Sequence, residues 1–242
     1  MRIDILTLFP QMFDGPLAVS IIGRARDRGL IDVNLTDIRA FATDRHRTVD
    51  DTPYGGGPGM VMKPGPIFDA VNSVRSREAW IILLSAGGQR LDQEIVRTLS
   101  ARDHLILICG HYEGVDDRVR EHLADQEISI GDYVLTGGEL PAMVMTDAVC
   151  RLLPGVLGDD ASSADESHTS GLLEYPQFTR PELYRGWRVP EMLLSGHHAR
   201  IAAWRRYQSL QRTEAVRPDL MRDNDHADLT ELKRQFDEAP DL

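Results

Sequence analysis

Short apolar runs along the chain alternate with stretches in which apolar positions recur every three or four residues. The runs at residues 2–9, 31–37, 80–85, 104–109 and 128–135 predict β-strands. The periodic stretches at 16–28, 64–74, 92–100 and 116–124 predict helices between them. WIILLS and HLILICG are apolar without alternation, as expected of strands covered on both faces. Strand and helix in turn imply an α/β domain around a largely parallel sheet. In open sheets of that kind the ligand sits beyond the carboxyl ends of the strands. Four glycine-rich segments fall there: PYGGGPGM, SAGGQRLDQ, GHYEGVDDR and LTGGELP. The last lies within SIGDYVLTGGELPAMVMTDAV, which starts as a strand at Ser129, crosses Gly137 and Gly138, and resumes as an apolar helix. Glycine at such a junction either turns the chain tightly or admits a close neighbour.

After Leu153 the pattern changes. Pro154 and Gly155 end a helix, and GDDASSADESHTSG is polar enough to be a linker. From Thr179 the chain turns helical and basic. Arg180, Arg185, Arg188, Arg200, Arg205, Arg206 and Arg212 face only Glu182 and Glu191 over residues 180–212, and the chain is acidic again from Asp219. The expected organisation is an α/β domain over 1–158, a linker over 159–172 and a small helical domain over 173–242.

Composition narrows the function classes. The 242 residues are 42% hydrophobic, enough for a sizeable core, and 27 Lys plus Arg against 38 Asp plus Glu give a net charge of -11. That sum argues against broad nonspecific binding to nucleic acid without excluding a local basic patch. Cys109 and Cys150 lie in apolar runs and read as buried thiols of a reducing compartment. MRIDILTLFP is too soon interrupted for a signal peptide, and no apolar run nears the roughly 18 residues of a membrane span. A cytoplasmic protein with no membrane partner is expected.

None of the glycine loops carries Gly-Lys-Ser/Thr at the spacing of a nucleotide-phosphate loop, and none reads GxGxxG after a strand. Together they suggest a backbone-lined pocket for a flat, polar ligand. In SGHHARIAAWRRYQSLQR, Arg200, Trp204 and Tyr207 share helical spacing beside Arg205 and Arg206. This suits a phosphate backbone and unstacked bases, or equally a small helical domain with Trp204 in its core. TDRHRTVDDTPYGGG gathers Asp44, His46, Asp50 and Asp51 without zinc-ligand spacing. Arg151 ends a helix, where a cation is favoured by the dipole, and Asp165 and Glu166 in the linker read on their own as solvated carboxylates.

Taken together, IDILTLFPQMF, DDTPYGGGPGMVMKP, GHYEGVDDRV, SIGDYVLTGGELPA, RLLPGVLG, GLLEYPQFTRP, VPEMLLSGHH and WRRYQSLQRT resemble the bacterial tRNA (guanine-N1)-methyltransferases, the knotted SPOUT class. The motifs occur in the family's order up to about Pro218. The resemblance implies a parallel-sheet SPOUT domain with a deep trefoil knot, whose loops hold S-adenosylmethionine, followed by a helical domain. It implies a cofactor pocket of Leu84, Ser85, Gly110, Glu113, Ile130, Gly131, Asp132, Tyr133, Val134, Leu135, Gly137, Gly138 and Pro141. Its tRNA contacts would include His46, Asp50, Gly59, Tyr112 and Arg205.

The implied reaction methylates N1 of guanine 37, beside the anticodon. N1 carries a proton at neutral pH, so a carboxylate must take it as general base, and an arginine facing O6 would stabilise the charge that develops there. By motif the arginine is Arg151. The family's aspartate position in an E-D-S triplet holds Glu166 here, within Asp165-Glu166-Ser167, with Asp165 the alternative. His111 stands where arginine is often found. A homodimer sharing its active sites is implied, and magnesium is left open because no dedicated site is legible. A ribose 2′-O-methyltransferase of the same fold and a noncatalytic RNA-binding protein are the competing readings.

Overall fold

A computed structural model describes residues 1–158 and 166–237. The chain divides into two compact units, the first being Met1–Gly158. Its centre is a five-stranded sheet of β1 (Arg2–Thr7), β2 (Asp32–Asp37), β5 (Ala79–Arg90), β6 (His104–Cys109) and β7 (Gln126–Ser129), in the order β2-β1-β6-β5-β7. Every pairing is parallel. A short antiparallel pair, β3 (Asp50–Asp51) with β4 (Val61–Met62), stands apart.

Helices cover both faces. On one, α1 (Ser20–Asp27), α3 (Gln93–Ser100) and α5 (Glu139–Cys150) bury Ile22, Val96, Leu99, Met145 and Val149 against Ile3, Ile5, Ile82, Leu105 and Leu107. On the other, α2 (Pro64–Val74) and α4 (Asp117–His122) bring Ile67, Val71 and Val119 onto Leu6, Ile81, Leu83, Ile106 and Ile108. Successive residues from Leu105 to Cys109 therefore point into two different cores, which is why they are all buried and apolar without alternation. Complete burial of such side chains stabilises by about 1.5–3 kcal/mol each relative to exposure. Asp92 caps α3 by accepting from the Glu94 and Ile95 amides. At the amino end of the strands, His104 bridges Asp4 (2.6 Å) and Ser76 (2.7 Å), joining β1, β6 and the loop after α2 away from the glycine-rich loops.

Two predicted elements change. The strand expected over 128–135 stops at Ser129, because Tyr133, Val134 and Leu135 are exposed and have no sheet to join. The strand expected to end at Ser85 instead resumes: β7 pairs with Leu84, skips 85–88, and pairs again with Gln89 and Arg90, so that Ile128 faces both Leu84 and Gln89. Residues 85–88 form a wide bulge rather than a terminal loop.

The second unit builds its own small core from Leu172, Tyr207, Leu210 and Leu229, packed by α7 (His198–Val216) and α8 (Asp223–Asp237). The Tyr207 ring stacks on Phe236 at 5.5 Å, and Arg206 pairs with Asp225 and Asp228. Tyr207 and Arg206 thus serve this unit's packing and are not presented to a ligand. The hairpin β8 (Leu183–Tyr184) and β9 (Trp187–Arg188) and the short α6 (Glu191–Leu194) precede α7.

Burial raises both thiols: Cys109 well above its ordinary value, and Cys150 to about 12, with Asp147 adding to the effect. Since the thiolate is the reactive form, neither cysteine should react with a disulfide reagent at pH 8 in the native protein. Both should react at once in denaturant, and a stoichiometric native reaction would contradict the packing of β6 and α5.

Candidate active site

The bulge of β5 and the carboxyl ends of β6 and β7 open into a cleft of about 300 Å³ lined by residues 83–86, 110–115, 127–131 and 133–138 with Asp117, Arg120 and Pro141. Its shape follows from two places where backbones cross too closely for a side chain. A Cβ on Gly88 would lie 2.5 Å from the Ile128 amide nitrogen, and one on Gly138 would lie 2.6 Å from Cys109 Cα and 2.9 Å from the Gly110 nitrogen. The Gly138 N–H donates to the Gly110 carbonyl at 2.8 Å, while His111 bridges Gly137. Gly138 has an ordinary helical φ of -81°, so glycine is needed there for close approach and not for a turn. Gly138 is thus a close-packing point between β6 and α5 and not the expected turn, and both glycines also line the cleft.

Glu139, the next residue, is buried at 2% exposure in the first turn of α5, where a carboxylate is favoured by the helix dipole. Its Oε1 accepts from Thr7 Oγ1 at 2.8 Å, and Thr7 Oγ1 accepts from the Phe9 amide at 2.9 Å. The start of α5 is thereby tied to the end of β1. Ser129 Oγ donates to the Gly131 carbonyl (2.9 Å), and Gly131 adopts φ +156° with the Tyr133 ring over it. That bend directs Tyr133, Val134 and Leu135 to the cleft, where their exposure of 55%, 85% and 37% provides apolar wall.

A second rim is stitched from two loops. The Glu113 amide donates to the Met60 carbonyl (3.0 Å), the Met62 amide to Gly114 (2.9 Å), and the Asp116 amide to Met62 (2.9 Å). Gly59, at φ +83°, lies directly under the Glu113 side chain, and a Cβ would overlap it. Of the charged lining groups, Glu113, Asp117 and Glu127 face a single cation, Arg120. Arg120 binds Asp117 through two nitrogens (2.6 and 2.9 Å) and holds its carboxyl below the usual range. The cleft is net acidic, with apolar walls and many backbone groups.

Of the residues expected at the cofactor, Leu84, Ser85, Gly110, Glu113, Ile130, Gly131, Tyr133, Val134, Leu135, Gly137, Gly138 and Pro141 line this cleft; Asp132 does not. Among the expected tRNA contacts, Tyr112 lines it at φ +61°, Asp50 and Gly59 lie on the stitched 50–62 segment, and His46 is exposed upstream. Arg205 belongs to the second unit, its guanidinium over Tyr175 at 4.8 Å. Arg151 ends α5, its amide bonded to the Asp147 carbonyl, and lines a different cavity with Pro16, Leu17, Ile22, Gln93 and Val144. Glu166 lies in the second unit, its carbonyl accepting from the Thr169 amide, and Asp165 lies outside the described residues. Ala86, Thr136 and Glu127 line the cleft although they are not among the expected site residues; Ala86 and Thr136 fall within the glycine-rich segments SAGGQRLDQ and LTGGELP, whereas Glu127 falls in no motif.

The family described as tRNA (Guanine-1)-methyltransferase TrmD matches residues 1–223. Proteins called tRNA (guanine-N(1)-)-methyltransferase are similar over nearly the whole chain. The one from Geobacillus kaustophilus is 58% identical over 98% of this chain and 96% of its own, that from Dehalococcoides mccartyi 57% over 91% and 90%, and that from Desulforudis audaxviator 56% over 98% and 98%. The chain belongs to the tRNA (guanine-1)-methyltransferase family. As a member it is a methyltransferase, an enzyme of tRNA modification.

Among the described residues of this methyltransferase, no group of three His, Cys, Asp or Glu side chains is placed to hold a metal ion, and no helix is long and apolar enough to cross a membrane. Because a Cβ on Gly138 meets backbone and not a movable side chain, Gly138→Ala should lower stability by about 1–3 kcal/mol, as overpacking does. Gly87→Ala, whose Cβ would have nothing nearer than Ser85 Oγ at 3.7 Å, should melt near wild type. Equal melting temperatures for the two variants would refute the crossing.

Proposed function

We propose that this enzyme transfers the methyl group of S-adenosylmethionine to N1 of guanine 37 in tRNA. The observation that carries this reading is the acidic, apolar-walled cleft at the bulge of β5 and the carboxyl ends of β6 and β7 in a chain of this family. The donor set fits the cofactor. Backbone groups of 84–86, 110–115, 130–131 and 133–138 suit an adenine edge and ribose, Tyr133, Val134 and Leu135 cover apolar surface, and Glu113 and Glu127 suit a ligand with sulfonium and ammonium charges. Bound there, S-adenosylmethionine supplies an electrophilic methyl whose bonding electrons remain on sulfur as it leaves. The close crossings at Gly88 and Gly138 support a deep trefoil knot in residues 79–150.

The protein's own work is on the base. Glu166, with Asp165 as the alternative, takes the N1 proton, and Arg151 donates to O6 as negative charge develops there. Arg151 lies outside the cleft of its own chain, which supports an active site shared by two copies. Leu140 and Val144 of α5, about two turns and one turn before Asp147 on the face that ends at Arg151, are each 48% exposed, as a helix awaiting a second copy would leave them. His46, Asp50, Gly59 and Tyr112 contact the tRNA from the rim, and Arg205 contributes from the second unit. The target base leaves its stack to reach the cleft.

The test is single-turnover methyl transfer to unmodified tRNA carrying G36 and G37, followed by digestion to nucleosides. N1-methylguanosine is the expected product; methyl on ribose oxygen would replace this reading. Arg151→Ala and Glu166→Gln should each slow the chemical step by roughly 10²–10⁴-fold while S-adenosylmethionine binding is retained. If Asp165→Asn is the inactive variant and Glu166→Gln is not, the base is Asp165. Affinity for tRNA should fall steeply between 50 and 200 mM salt, as phosphate contacts by arginine require; a flat dependence would exclude the basic second unit as the docking surface.

A further inference from the structure

The hairpin of the second unit buries none of its side chains in that unit's core. Leu183, Tyr184, Trp187 and Arg188 are all exposed, Trp187 at 71%, so neither face of β8 and β9 contributes to the unit's core of Leu172, Tyr207, Leu210 and Leu229. Yet the side chains are ordered relative to one another. Leu183 pairs with Arg188 and Tyr184 with Trp187, which puts the two aromatic rings on one face with centroids 6.5 Å apart. The connecting residues, Arg185 and Gly186, both have positive φ (+52° and +90°), the conformation of a tight two-residue hairpin turn. Arginine is an unusual choice there, since asparagine and glycine tolerate that conformation better. Its guanidinium sits 5.2 Å over the Tyr184 ring.

We propose that this hairpin is a docking surface for single-stranded RNA, its Tyr184 and Trp187 rings receiving unstacked bases of the substrate loop and Arg185 the adjoining phosphate. The inference rests on the guanine-methylation reading, which names a tRNA as substrate, and adds where on the chain its loop is held. Charge complementarity supports it. Arg180, Arg185, Arg188 and Arg200 cluster in this stretch of sequence, and Glu182 is already paired with Arg188 at 2.7 Å. Among the described residues, no carboxylate is paired with Arg185. A ring face beside a guanidinium suits a base and its phosphate, and the stacking is tolerant of base identity. A second copy of this chain is disfavoured as occupant, because a two-fold contact sets the same patch against itself and would place arginine against arginine. The interleaved arginines and aromatics of α7 are the less apt candidate, with Tyr207 buried and Arg206 held by Asp225 and Asp228.

Equilibrium binding of the full-length protein to two RNAs decides the matter: a synthetic anticodon stem-loop, and the same stem as an uninterrupted duplex. Trp187→Ala should weaken stem-loop binding about tenfold and Tyr184→Ala comparably, within the range that loss of one stacked base produces. Trp187→Phe should recover most of that loss, and duplex binding should be unchanged in all three. In steady state KM for tRNA should rise with the KM for S-adenosylmethionine unaltered. If wild type methylates tRNA but Trp187→Ala binds the stem-loop as tightly, the hairpin is not the docking surface and the guanine reading stands. If Trp187→Ala instead alters sedimentation mass with unchanged RNA affinity, the hairpin is a contact between chains and the proposal is overturned. Failure of wild type to methylate any tRNA would sink the guanine reading and this proposal with it.

Discussion

The cleft of the first unit depends on the approach of two backbones where the start of α5 passes the end of β6. With no Cβ at Gly138, its N–H reaches the Gly110 carbonyl at 2.8 Å and the helix begins directly against Cys109. The rest of the site follows from that contact. The helix start fixes Glu139 against Thr7, the 130–137 segment must loop outward to arrive there, and the loop becomes the wall of the cleft. At Gly88 the same device operates on the other side, where the bulge of β5 lies on the backbone of Glu127 and Ile128. Cores tolerate little added volume, and a crossing of bare backbone tolerates least.

Pattern made part of this legible. The helix over 64–74 and the strand over 104–109 are found at those bounds, since proline at the one start and continuous burial of the other are local signals. Tyr133, Val134 and Leu135 misled because apolar residues signal contact without saying with what; here they edge a cleft and not a sheet. The return of β5 after Ser85 was hidden by Ala86-Gly87-Gly88, which reads as a turn, while pairing with a strand some forty residues later restores the ladder. Which residues belong to the cleft followed from family motifs and not from spacing. Nothing in helical periodicity tells Tyr207, stacked on Phe236, from Trp187, standing in solvent.

Overall charge conceals a division of labour. A net charge of -11 is a poor guide to a chain whose cleft sets Glu113, Asp117 and Glu127 against one arginine and whose 180–212 stretch sets seven arginines against two glutamates. On the proposed function, a cationic small molecule and a polyanionic macromolecule call for opposite fields, and separate units would let each be strong. The acidic excess elsewhere keeps the protein from clinging to unrelated nucleic acid.

The position of α5 in the chain has a bearing on biosynthesis. β1 and β6 leave the ribosome well before residues 139–150, so Ile3, Ile5, Leu105 and Leu107 wait with one face lacking its final cover. That cover is among the last parts of the first unit to be made, and it must settle against strands already formed. A nascent chain paused before residue 150 therefore has α1 and α3 to cover that face but lacks α5, and the apolar surface left open favours aggregation. The tight seat of α5 that shapes the cleft also makes the first unit's assembly a late event in its own synthesis.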